Sequence, residues 1–309
     1  MYTKISIAGI DRIDWLKLRK TGIGGSDAAA VCGLNPYSSA MNVYISKVNA
    51  EIKDEDNESM RQGRDLEDYV AQRFTEETGI KVRKTNFMYR SKQWPFMIAD
   101  IDRQLVGIDA GLECKTANAY NADQWEGDKV PIHYFIQCQH YMAVTGKESW
   151  YIAVLILGVG FKYRKIERDE DLIKNLIFLE EKFWKDHVLA GHMPEPDGSE
   201  SCDELLAQYY KNSKKDSRIP LIGFNEELKR RKELVDLIKK METELDTIDQ
   251  SLKMFLGENE IAENDNFRVS WKQVDSQKFD QKALKDDMPD IYEKYTKLSS
   301  YRRFTVKAA

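Results

Sequence analysis

Between residues 81 and 116 the chain reads as three strand-like runs, at about 81–90, 95–102 and 110–116, and two of them carry charges where a core is expected. Phe96, Met97, Ile98, Val106, Ile108 and Leu112 crowd this stretch, yet Asp100, Asp102, Glu113 and Lys115 interrupt it. Side chains two apart on a strand share a face, so Glu113 and Lys115 project together while Leu112 and Cys114 turn the other way. Such a strand suits a sheet covered by helices on both faces. Charges on core-like elements also demand a partner or a metal.

Helical readings surround these strands. One helix spans about 11–20, and the glycine-rich turn Gly22-Ile23-Gly24-Gly25 leads into a second helix with Ser26 as its N-cap. A third runs over 59–79 and stops at Gly79, and a fourth covers 131–146. Residues 149–168 read as a hairpin around Gly158-Val159-Gly160, followed by an amphipathic helix over 170–190. The order predicts an α/β fold with a mixed central sheet flanked by helices, in a domain covering 1–200. Residues 201–224 are polar and punctuated, as in a linker, although LLAQYY suggests a short helix there.

Residues 225–309 form a C-terminal helical and β appendage in this reading. Leu234, Ile238, Met241, Leu245, Ile248, Leu252 and Phe255 alternate steps of four and three along a helix over 226–256. So short a seam favours packing on its own domain, and an intermolecular coiled coil is the alternative. FRVSWKQV reads as a strand, 280–298 as a helix and RRFTVK as a final strand.

Composition narrows the class. Of 309 residues 42% are hydrophobic and 32% charged, with 7 prolines, as in a globular protein rather than a disordered one. No apolar stretch approaches the roughly 18 residues that cross a bilayer, and MYTKISIAGI lacks a secretory pattern, so no membrane contact and a cytoplasmic location are expected. Cys32, Cys114, Cys138 and Cys202 lie far apart without zinc or iron-sulfur spacing, and read as reduced core residues. The net charge of −5 does not exclude nucleic acid, because residues 1–50 carry six Lys or Arg against three Asp, and 266–309 carry ten basic against six acidic residues.

Phosphodiester hydrolysis needs a hydroxide near neutral pH, neutralisation of the charge on the transition state, and a stabilised leaving alkoxide. Mg²⁺ held by carboxylates supplies all three. Asp102 and Glu113, on adjacent strands, would be the ligands, with the Cys114 backbone carbonyl as a further donor and a second ion about 4 Å away. Lys115 would orient the attacking water or stabilise charge on the phosphate. In a chain with 47 Lys or Arg and 52 Asp or Glu, an E-x-K triplet alone is weak, and a solvated face or a salt bridge is the plain alternative.

Four blocks in order sharpen the reading: Trp15-Leu16-Lys17-Leu18-Arg19 with Gly24-Gly25-Ser26-Asp27; Gly63-Arg64-Asp65-Leu66-Glu67; Asp102 with Glu113-Cys114-Lys115; and Gln137-Cys138-Gln139-His140-Tyr141. Together they resemble the PD-(D/E)xK nuclease superfamily, and within it the phage lambda exonuclease and YqaJ-type viral recombinase family, over about 10–190. Ile101 stands where the superfamily motif names proline.

The resemblance implies that Glu67 is a third acid near the metals, against a solvent-facing helix carboxylate as the alternative. It implies that Gln137 is catalytic and Tyr141 supporting. These two share a helix face, whereas Gln139, also in the motif, lies roughly opposite. It further implies that Arg19 and Ser26 hold the 5′-phosphate of the digested strand, near helix N–H groups that favour anions; an ordinary capped helix is the alternative.

The function so implied is a Mg²⁺-dependent 5′-to-3′ exonuclease on linear double-stranded DNA, with Mn²⁺ able to substitute, leaving 3′ overhangs for recombination. A homotrimer around DNA and a single-strand annealing protein of the RecT or lambda Beta type come with the resemblance. The rivals are a structure-specific or nicking endonuclease on the same fold, and a non-catalytic DNA-end or recombinase-binding module. The basic surplus beyond 225 suggests DNA contact or partner docking, against plain solvated charge.

Overall fold

A computed structural model describes residues 2–51 and 56–307 and divides the chain into two compact units, Met1–Lys211 and Asn212–Ala309. The first begins with β1 (Tyr2–Ser6), α1 (Arg12–Lys20), α2 (Gly25–Val31), α3 (Ala40–Val48) and α4 (Glu58–Thr78). Asp11 caps α1 by accepting the Asp14 N–H at 2.8 Å, and Lys17, Arg19 and Lys20 complement the carbonyl end. Gly79 ends α4 at φ +71°, a left-handed position that glycine takes without steric cost.

Five short strands follow: β2 (Val82–Lys84), β3 (Phe87–Ser91), β4 (Ile98–Asp100), β5 (Arg103–Leu105) and β6 (Ala110–Ala117). The run expected over 81–90 is therefore two strands, and they enter different sheets. β3 sits between β1 and β4 in an antiparallel three-stranded sheet, whereas β2 lies at the edge of a five-stranded one. The run over 95–102 is likewise cut to β4, and Asp102 falls in the connection to β5.

The chain continues through α5 (Ile132–Thr145), β7 (Ser149–Ile156), β8 (Gly160–Glu167) and α6 (Glu170–Phe183), which passes into a π-helical segment, Trp184–Leu189. The larger sheet runs β2-β5-β6-β7-β8, with β6 and β7 parallel and the other neighbours antiparallel. It is a mixed sheet with helices on both faces. Val70, Ala71 and Phe74 of α4 pack on Ala110, Leu112 and Ala153, while Trp150, Ile152 and Val154 meet Cys138, Tyr141 and Met142 of α5 on the other face. Each fully buried large apolar side chain in such layers contributes about 1.5–3 kcal/mol. Gly111 pairs with Trp150 in the parallel register, and a Cβ at Gly111 would lie 2.2 Å from the indole ring.

The first unit ends with α7 (Glu200–Tyr209), where the polar composition suggests linker. Ser199 caps this helix, and Cys202 is buried against Met41 of α3, which ties the segment to the first unit. Cys138 is buried too, whereas Cys32 and Cys114 are half-buried, and all four are free thiols.

The second unit contains α8 (Asn225–Leu256), the hairpin β9 (Ile261–Glu263) and β10 (Arg268–Ser270), α9 (Gln281–Asp287) and α10 (Pro289–Tyr295). Three sequence expectations change here. The 280–298 helix is broken because Pro289 pushes Met288 out of the helical region, to φ −137° and ψ 64°. FRVSWKQV contributes only three strand residues, and RRFTVK none, because alternation marks only the capacity to pair and no partner strand adjoins it among the described residues. The seam of α8 does not pack on its own domain, for Leu234, Ile238, Met241, Leu245, Ile248 and Phe255 stand exposed. No helix among the described residues is long and apolar enough to cross a membrane.

Candidate active site

The end of β5 creates the site. Its ladder with β6 stops at Arg103 opposite Leu112, so the next donor on β6, the Cys114 N–H, is left without a strand partner. The Asp102 carboxylate takes that place, accepting the N–H at 2.7 Å. A residue's N–H and C=O point to the same side of a strand, so the Cys114 carbonyl faces this opening as well. Its thiol packs with the α4 layer on the opposite face, as the strand period requires.

Glu113, 2% exposed, projects from β6 toward α5. Its Oε1 accepts from Gln137 Nε2 at 2.6 Å and from Lys115 Nζ at 2.6 Å, while its Oε2 is buried without a partner. Gln137 Nε2 lies 2.8 Å from the Tyr141 hydroxyl, one helical turn on. Close packing of α2 on α5 is possible because residue 25 is glycine: a Cβ there would lie 2.5 Å from Tyr141 Cε1 and 2.9 Å from Gln137 Cγ.

A cleft of about 620 Å³ is lined by Asp102, Glu113, Gln137 and Tyr141 and also contacts Arg19 and Ser26; Lys115 is not in its lining and meets it through Glu113. Arg19 donates to Ser26 Oγ at 2.7 Å and to Asp27 Oδ1 at 3.2 Å, and its guanidinium lies 5.1 Å from the Trp15 ring centre. Lys47, buried, grips the other Asp27 oxygen at 2.6 Å. Burial would favour the acid form of Asp27, but Lys47 and Arg19 outweigh it and hold the carboxyl well below its usual range.

Around Asp102 and Glu113 the balance reverses. Burial first, then Glu113 and Glu67, push the Asp102 carboxyl well above the ordinary range, and burial raises Glu113 against the pull of Lys115. Burial also raises Asp100, whose carboxylate accepts the Trp15 indole N–H at 2.7 Å. Lys115 behaves oppositely: burial would lower it, yet Glu113, Tyr134 and Asp102 hold its ammonium charged above the usual value.

This arrangement fits a divalent cation. Asp102 and Glu113 share one cleft lining with Asp100 and Glu67, and Glu113 Oε2 has no partner of its own. Among the described residues no three His, Cys, Asp or Glu side chains converge into a cage of their own. Mg²⁺ needs none, since it is usually held by one or two carboxylates with water and phosphate completing its shell. Asp102, Glu113 Oε2 and the Cys114 carbonyl are the oxygens that could hold it.

Glu67 lines the same cleft, where Arg103 and, at 3.5 Å, Lys84 engage it. Gln139 lies outside the cleft. Fully buried, it donates to the Glu167 carbonyl at 2.8 Å and accepts the Asp169 N–H at 3.0 Å, because two residues along a helix turn a side chain to the far side. The N-cap of α2 is Gly24 rather than Ser26: the Gly24 N–H is occupied by Asp27 at 2.9 Å, and the helix is only seven residues long. The Arg19 and Ser26 side chains, rather than a free helix N-terminus, are what this end of the cleft presents. Asp100 was open to detection, since it precedes Asp102 by two in an extended run, whereas Lys47 carried no local signal.

The comparisons agree with this architecture. The YqaJ-like viral recombinase domain matches residues 14–148. The protein YqaJ of Bacillus subtilis (strain 168) is 36% identical over 302 residues, covering 96% of this chain and 95% of that protein. Among solved structures, the alkaline exonuclease LHK-Exo of Laribacter hongkongensis superposes with TM-score 0.50 at 19% identity, covering 64% of this chain and 98% of that one. The same enzyme in complex with dAMP gives TM-score 0.50 at 20% identity, with the same coverage. The fold is thus of the PD-(D/E)xK nuclease type, and the chain belongs to the YqaJ-like viral recombinase family.

Proposed function

We propose that the chain is a Mg²⁺-dependent DNA exonuclease that digests one strand of linear double-stranded DNA from its 5′ end and leaves a 3′ single-stranded overhang. The observation that carries this reading is one cleft holding both the Asp102–Glu113 acid pair and the Arg19–Ser26 pair. A phosphodiester hydrolase needs the first, and recognition of a terminal phosphate uses the second.

A bound divalent ion supplies charge neutralisation on the phosphate and makes water more acidic. The chain's own groups do the rest. Asp102 is fixed by the Cys114 N–H, and Gln137 with Lys115 holds one oxygen of Glu113, which leaves the other, buried and without a partner, for the ion. Lys115, kept charged, orients the attacking water or stabilises charge on the phosphate. Glu67 adds a third carboxylate, acting through water. Arg19 presents a guanidinium fork and Ser26 a hydroxyl to the 5′-phosphate. The dAMP held by LHK-Exo is the kind of mononucleotide such a cleft would release.

The recombination role extends this reading: an overhang is the substrate of a single-strand annealing protein of the RecT or lambda Beta type, and a homotrimer encircling DNA would keep the enzyme on its track. Mn²⁺ would replace Mg²⁺. The test is digestion of linear duplex with and without a 5′-phosphate, in Mg²⁺ and in EDTA, comparing wild type with Lys115→Ala. Nucleotide release that needs Mg²⁺, Lys115 and a free end supports the proposal. Cutting of covalently closed circles would make the enzyme an endonuclease, and no release at all would leave a binding module.

A further inference from the structure

We propose that the second unit binds single-stranded DNA through exposed aromatic side chains set among lysines and arginines. In the choice of DNA over RNA this rests on the nuclease reading; the surface itself does not.

Soluble proteins rarely leave many large aromatic rings in water without a use for them. Here Phe267, Phe279, Tyr295, Tyr301 and Phe304 are 73%, 75%, 75%, 85% and 83% exposed, and Trp271 is 52% exposed. They come from different pieces of the unit. Phe267 and Trp271 flank β10 and, four apart on an extended segment, share a face; the Trp271 N–H extends the hairpin by donating to the Glu260 carbonyl at 2.8 Å. Tyr295 ends α10 with the Lys294 ammonium 5.5 Å from its ring centre. Tyr301 and Phe304 lie in the extended segment beyond it.

The charge around these rings names the partner. Residues 266–309 hold ten Lys or Arg against six Asp or Glu, in a chain whose net charge is −5. Seven of the ten are lysines, the residue type depleted from protein interfaces and suited to phosphate. A duplex buries its base faces in the stack, so flat rings gain little from it. A single strand offers both faces of each base and a continuous phosphate chain, which aromatic platforms interleaved with cations recognise without regard to sequence. The exonuclease proposed above would produce that ligand within reach of the same chain.

The experiment is fluorescence anisotropy of labelled oligothymidine and of a hairpin-capped duplex, with the full-length protein in EDTA so that nothing is cut. Trp271→Ala/Tyr301→Ala/Phe304→Ala should weaken oligothymidine binding about tenfold or more and change duplex binding less than about twofold. Trp271→Phe/Tyr301→Phe/Phe304→Tyr should restore it, since the stacking faces return. Arg303→Gln/Lys307→Gln should make its salt dependence shallower. Unaltered thermal melting of the triple-alanine variant would show that the fold survives. Unchanged oligothymidine affinity in that variant, equal loss on both ligands, or loss of self-association in place of DNA binding would each overturn the proposal. Absent nuclease activity in Mg²⁺ would sink the reading of the cleft and leave this measurement standing.

Discussion

The Gln137 amide donates to Glu113 Oε1 at 2.6 Å across the boundary between α5 and the sheet. That bond, with Lys115 on the same oxygen, leaves the other, Oε2, buried and without a partner. Gln137→Leu should therefore lower Mg²⁺-dependent turnover by roughly 10- to 100-fold, the usual effect of removing a group that orients a metal ligand. Single-turnover digestion at rising Mg²⁺ is the check, with partial recovery at high metal expected. A variant with wild-type rate and wild-type metal dependence would show that Glu113 needs no such support.

Asp102 links the site to stability. Its carboxyl, raised by burial and by Glu113 and Glu67, binds its proton more tightly in the folded chain than in the unfolded one. Such a group supports the fold fully below its unfolded value, about 3.9, and that support is lost as pH rises through the higher folded value. The metal-free protein should accordingly melt at lower temperature as the pH climbs out of the acid range. Asp102→Asn, neutral throughout, should melt about 2–4 °C higher than wild type in EDTA at mildly alkaline pH and match it near the unfolded value. A lower midpoint for the variant at alkaline pH would contradict the raised carboxyl.

Much of this site is legible in the sequence, for local reasons. The two-residue period of a strand places Glu113 beside Lys115, and a four-residue helical step places Gln137 beside Tyr141. The rest depends on contacts between distant positions, which leave no periodic trace. Trp15 reaches Asp100, and Lys47 reaches Asp27, through hydrogen bonds of 2.7 and 2.6 Å. The two parts of 81–90 separate because β1, from the extreme N-terminus, claims β3 while β5 claims β2. Only the family resemblance points Arg19 and Ser26 toward Asp102 and Glu113, and the cleft contacts all four.

Arg19 supplies a prediction about ends. Its fork is pre-set by Ser26 and Asp27, so a 5′-phosphate would meet an oriented cation rather than a mobile one. Charge-assisted bonds of this kind are worth about 1.5–3 kcal/mol, or roughly 10- to 100-fold in rate. Arg19→Ala should lose that factor on 5′-phosphorylated duplex and little on hydroxyl-ended duplex. Competition between the two substrates in one reaction measures the ratio directly. An unchanged ratio would remove Arg19 from phosphate recognition.

His140 and Glu180 test how the scaffold behind the site is held. Both are fully buried; His140 Nδ1 lies 2.8 Å from Glu180 Oε1, and Nε2 lies 2.9 Å from the Ile98 carbonyl, two residues before Asp100. The pair thus joins α5, α6 and β4 behind the cleft. Burial would lower the imidazole's pKa, but Glu180 and the Ile98 carbonyl outweigh it and raise it. Removing one partner of a buried pair leaves a charge without compensation, at a cost of about 3–5 kcal/mol, whereas replacing both by apolar groups is far milder. His140→Leu should be strongly destabilised in urea unfolding, and His140→Leu/Glu180→Leu should recover most of the loss. If the double variant unfolds at the same urea concentration as the single one, the loss comes from the Ile98 carbonyl or from packing rather than from the stranded carboxylate.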